Sequence, residues 1–110
     1  VHIDDITDAY LHFIDNPQHT GVYNVGFENI SILEIAEMVA DVVPAAIVIQ
    51  ESNDPRSYRV NSDKILKTGF KPQKTVKTAI QEIVEAYNKG QLKDEPHFHN
   101  LKWMQKEVLV

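Results

Sequence analysis

The chain has 110 residues, no cysteine and a formal net charge of −5, with 43% apolar and 25% charged residues. One domain is the natural expectation, burying roughly two-thirds of the surface its unfolded form exposes. The acid excess excludes a general nucleic-acid binder, which needs many cations to displace phosphate counterions. The lack of cysteine excludes disulfides and thiolate chemistry, and fits a reducing, cytoplasmic setting. No apolar run approaches the roughly 18 residues a membrane span requires, so no membrane partner is expected.

Val1 to Ile3 reads as the end of a strand, and a chain opening inside such a pattern reads as a piece of something longer. Asp4 or Asp5 then caps a helix whose apolar face is Ile6, Ala9, Tyr10, Phe13 and Ile14. Asn16-Pro17 ends it. Gly21 to Val25 reads as a short strand closed by Gly26. Ser31-Ile-Leu-Glu34 is a capping box that opens a second helix, which stops before Pro44. Ala45 to Gln50 is β-branched and apolar, a third strand. Residues 51–59 have loop composition. Ser62 caps a short helix carrying Ile65 and Leu66, with Gly69 as its left-handed terminator. Thr75 caps the best-patterned helix, with Val76, Ala79, Ile80, Ile83, Val84 and Tyr87 on one face and Gly90 at its end. Residues 91–110 form a tail that packs on something, because Phe98, Leu101, Trp103 and Met104 do not suit a free tail. The order predicts an α/β fold, a small lobe of about three short strands and four helices, with residues 1–90 as the lobe and 91–110 as the tail.

Charge is distributed unevenly. The 55 residues before Arg56 hold no Lys or Arg and ten carboxylates, whereas residues 56–77 carry seven of the eleven cationic side chains. Such a switch points to one loop that meets an anion.

Five landmarks stand in order: Val1-His-Ile-Asp-Asp5, Gly21-Val-Tyr-Asn-Val-Gly26, Ser31-Ile-Leu-Glu-Ile-Ala36, Asp54-Pro-Arg-Ser-Tyr-Arg59 and Leu66-Lys-Thr-Gly-Phe-Lys-Pro72. Together they resemble the C-terminal, substrate-binding portion of an extended short-chain dehydrogenase/reductase, the NAD-dependent epimerase/dehydratase family of nucleotide-sugar enzymes. His99-Asn-Leu-Lys-Trp-Met104 resembles a terminal segment of one branch. The resemblance implies the C-terminal part of a Rossmann-type enzyme. NAD or NADP would serve the parent, a nucleotide-diphosphate sugar would be the ligand, and a missing N-terminal Rossmann portion would be the partner. A homodimer is left open.

By the same resemblance, Arg56 or Arg59 contacts the diphosphate, a task that suits guanidinium's fixed, paired donors. Otherwise each is a solvated loop arginine paired with an acid. Tyr58 either lines that pocket or packs. Asn24 lies in a strand that approaches the substrate region, where it contacts substrate or holds structure. The catalytic equipment is absent. Gly21, Gly26, Gly69 and Gly90 lack the spacing of a dinucleotide-binding turn. The residues four after Tyr10, Tyr23, Tyr58 and Tyr87 are Ile14, Phe27, Ser62 and Gln91, so no tyrosine has the family's lysine. No catalytic residue is therefore assigned, and this piece alone is expected to bind no cofactor and to be inactive. His97 and His99 alternate without further ligands, and His2, His12 and His19 have no ligand spacing, so no metal is expected. The alternative from another class is a stand-alone α/β interaction module without catalytic activity, its exposed apolar surface covered by a partner.

Overall fold

Helix α1 runs Ile3–Asp15, and its cap is His2 rather than Asp4 or Asp5. The His2 Nδ1 accepts from the Asp4 amide at 3.1 Å, which leaves the proton on Nε2 to be donated to Glu82, 2.8 Å away. The computed structural model describes residues 1–107. Helix α2 spans Ile32–Val42, α3 Asp63–Leu66, α4 Val76–Asn88 and α5 Asn100–Glu107, with a 3-10 turn at Pro96–Phe98.

The helix starts follow local chemistry. The Ser31 hydroxyl accepts from the Glu34 amide at 3.1 Å, and the Glu34 carboxylate accepts from the Ser31 amide at 2.7 Å, completing the capping box. Thr75 accepts from the Thr78 amide and starts α4. Gly69, at φ +91°, turns the chain out of α3 in a conformation that costs a side-chain-bearing residue energy.

The expected α/β fold is not present: the regular elements among the described residues are all helices, and no strand is found there. A strand is stable only beside a neighbour that takes up its amides and carbonyls, and none of the three candidate segments has one. Ile3 already belongs to the first turn of α1. Among the described residues, no backbone group of residues 20–30 or 44–61 bonds to another backbone group. Gly21 to Val25 is instead braced by side chains. The Lys64 ammonium donates to the Val22 carbonyl at 2.8 Å and lies 4.3 Å from the centre of the Tyr23 ring. Ala45 to Gln50 has no brace, and all six residues are exposed.

The core is small. Ala9 of α1, Ile65 of α3 and Phe70 are buried together, with Phe13, Tyr23, Val25 and Phe27 packed around them. Phe27 stacks on Phe70 with ring centres 5.6 Å apart, although its backbone sits at φ +47°, a strained region for a bulky residue. Helix α2 packs on α4, but of the apolar face of α4 only Ile80 is buried. The accessible surface is 9327 Å², against roughly 6,200 Å² for a compact chain of this mass. The radius of gyration is 17.4 Å, where roughly 13 Å is usual. Much apolar surface that helical periodicity marks for burial thus faces outward, including Tyr10, Ile14, Ile83 and Tyr87.

The tail folds locally. Helix α5 packs on the 3-10 turn, with the Trp103 ring against His97. Leu101 and Met104 stay exposed. The last residues of the tail, 108–110, lie outside the described part.

Candidate functional site

The two arginines and Tyr58 line one groove. Its walls are Gly26, Glu28 to Ile32 and Glu34 on one side and Arg56 to Val60 on the other, around a volume of about 660 Å³. Three of the four side chains singled out in the sequence therefore share a cleft. Asn24 does not: it is exposed and lines no part of this groove.

The groove is built by polar side chains acting in place of a sheet. Asn29 exchanges two hydrogen bonds with Val60, its amide donating to the Val60 carbonyl at 3.0 Å and its oxygen accepting from the Val60 amide at 2.8 Å. The side chain reproduces a ladder pair and fastens the C-terminal end of the arginine loop. Next to it, the buried Ser62 hydroxyl accepts from the amides of Gly26 at 2.8 Å and Phe27 at 3.3 Å. The Ser62 side chain makes no cap bond to α3; that role falls to Asn61, which accepts from the Asp63 amide. Gly26 is required by close approach, since a Cβ there would sit 3.0 Å from the Val60 side chain. Glu28 reaches across to accept from the Val76 amide at the start of α4.

The electrostatics are mixed. The Arg56 guanidinium lies on Asp54, with Nη2 2.5 Å from Oδ2 and Nε 2.8 Å from Oδ1. Its own amide also donates to Asp54 Oδ1. This fork holds the Asp54 carboxyl below the usual carboxylate range and Arg56 above its ordinary value. Among the described residues Arg59 makes no side-chain hydrogen bond or ion pair. Glu34 is held low by the Ser31 amide and hydroxyl, with a smaller contribution from the Arg59 charge. The groove thus offers one engaged guanidinium and one open one, opposite two carboxylates. Tyr58 is almost wholly exposed beside them.

A second groove, about 550 Å³, runs between α1 and residues 19–25, lined by Ile6, Tyr10, Phe13, Tyr23 and Val25. Its lining is mainly apolar, with His19 and Thr20 added, and includes no Asp, Glu, Lys or Arg. The sequence also gave no hint of the cluster at the start of α1, where His2, Asp4 and Glu82 place ligand atoms within 4.8 Å of one another. The Lys74 ammonium lies between the two acids, 2.7 Å from Asp4 and 2.5 Å from Glu82. The ammonium bridges the two acids, so these groups form an ion-pair network. His97 and His99 each lie against an acid of their own, Glu95 and Asp94.

No family model matches this chain, and no solved structure gives a significant match to it.

Proposed function

We propose that this chain binds the diphosphate of a nucleotide sugar, as the substrate-binding portion of an NAD-dependent epimerase/dehydratase whose cofactor turn and catalytic Tyr/Lys lie outside it. One observation carries the reading: Arg56 and Arg59, the first cationic side chains in the sequence, line the same groove. Paired guanidiniums can take up the oxygens of a pyrophosphate bridge with directed, charge-assisted bonds. The ordered landmarks in the sequence supply the family. The proposal requires no sheet within the chain, only a shared groove for the two cations. Asn24 is not part of it, because it does not line the groove.

The test is calorimetric titration of the unmodified chain and of the double variant R56A/R59A with uridine-, guanosine- and thymidine-diphosphate sugars. Binding of at least one by the unmodified chain, lost in the double variant, is expected. Equal binding by the two proteins would remove the arginines from the role, and no binding of any sugar nucleotide would remove the function.

A second reading, a non-catalytic interaction module, is favoured by one feature: Ile47, Val48 and Ile49 stand exposed in a row. On that reading the chain's business is with another protein surface, and nucleotide sugars leave it unchanged.

A further inference from the structure

The geometry points to Asp54 as a built-in competitor for the groove's anion: it occupies the Arg56 guanidinium, so an incoming diphosphate is anchored by Arg59 first and gains Arg56 only by displacing Asp54. The inference rests on the diphosphate reading above and adds to it the unequal roles of the two arginines and the residue that sets them.

Three observations support it. The Arg56 fork is already engaged by both Asp54 oxygens, with Nε and Nη2 each within hydrogen-bond range. That is the same two-point geometry a phosphate would use. Arg59, three residues on and lining the same groove, makes no side-chain hydrogen bond or ion pair among the described residues, so its donors are available without a prior exchange. The two arginines also differ in how their backbone is held. Val60, next to Arg59, is pinned to Asn29 by two bonds, which places Arg59 on the fixed end of the loop. Arg56 sits at the other end, where the bonds found are those Asp54 makes, to Arg56 itself and to the Ser52 hydroxyl. An anion that meets a fixed, open cation and a second cation screened by a carboxylate does not use them equally.

The Asp54–Arg56 pair is exposed, and exposed pairs of this kind are weak. Asp54 therefore tunes affinity and does not block binding. Asp54→Asn is the informative change, because the amide oxygen can still accept from the Arg56 backbone and keep the turn while the competing charge is gone.

The experiment titrates inorganic pyrophosphate, at low salt, into the unmodified 110-residue chain, D54N, R56A, R59A and D54N/R56A, with the Arg Nε–H signals followed by NMR. Expected are binding about two- to fivefold tighter in D54N, a large loss in R59A, a small effect of R56A alone and a larger effect of R56A in the D54N background. In the unmodified chain both Arg Nε–H signals titrate with one midpoint, because the Asp54 exchange takes place within the 1:1 complex, and at saturation the Arg56 signal has moved by a smaller fraction than it does in D54N. If D54N binds no tighter and R56A weakens binding as much as R59A, the inference is overturned while the diphosphate reading stands. If neither the unmodified chain nor D54N binds pyrophosphate, both fall together.

Discussion

The buried Asp5 carboxylate accepts hydrogen bonds from the backbone amides of Gln73 and Lys74, at 2.8 and 3.1 Å, and so ties the first turn of α1 to the approach to α4. Only 1% of Asp5 is exposed. Removing the carboxylate strands two amides. Asp5→Ala is expected to cost about 2–4 kcal/mol, and Asp5→Asn nearly as much, because its NH₂ would face a donor. Urea unfolding followed by circular dichroism measures this. A cost within a few tenths of a kcal/mol would mean that the two amides find other acceptors.

Ser62 predicts a separate effect on the groove. Its hydroxyl is the acceptor for both Gly26 and Phe27, so Ser62→Ala is expected to lose about 1–3 kcal/mol. Hydrogen exchange should accelerate at those two amides and leave the amides of α4 protected. Unchanged exchange at 26 and 27 would remove Ser62 from this role.

The network at the start of α1 gives a pH dependence of defined sign. Hydrogen bonds to the Lys74 ammonium, chiefly, hold Asp4 and Glu82 below the usual carboxylate range, with His2 adding to the effect on Glu82. Folded-state values depressed in this way contribute stability above the unfolded values, and the contribution is lost as pH falls through the folded ones, below roughly pH 4. Lys74 is raised by the same partners, so its contribution is complete below the unfolded lysine value and is lost only under strongly alkaline conditions. Lys74→Met should therefore lower the melting temperature at neutral pH, and the difference should narrow as pH falls toward about 2.5. Salt should narrow it as well. A constant difference across the range would assign the effect to the lysine stem.

The exposed row from Ala45 to Ile49 predicts self-association. It is apolar, uncharged and free of proline, and its backbone has no ladder partner among the described residues, the properties of an adhesive edge. Val48→Lys should lower the scattering size at high protein concentration without changing the helical signal. Identical scattering by the two proteins would place association elsewhere.

How much of this was legible in the sequence follows from the range of each interaction. The Ser31–Glu34 box, the Thr75 cap and the Gly69 terminator are chemistry within a few residues, and the helices lie where those residues put them. The strand expectations relied on β-branched and apolar composition at Val22 and at Ile47 to Ile49, but a ladder is a property of two segments, and composition does not name the second. Asp5 reads as a helix-start acid because an acid is common there; its true partners are 68 and 69 residues away. The Asn29–Val60 exchange, 31 residues apart, leaves no periodic trace. Arg56 and Arg59 stand out in the sequence because a charge switch needs no fold to be seen, whereas Tyr58 is singled out by the resemblance alone. Asn24 was placed by a strand that does not form.

The arginine loop also holds the first bonds that trypsin can cut, since no Lys or Arg precedes Arg56. Limited digestion there would sever the chain between two groups of contacts that do not depend on the loop's continuity: Ser62 on Gly26, and Asp5 on Gln73 and Lys74. The cleaved halves should co-elute and separate only in denaturant, so the molecule lends itself to splitting into two complementary polypeptides whose reunion reports on the integrity of its body.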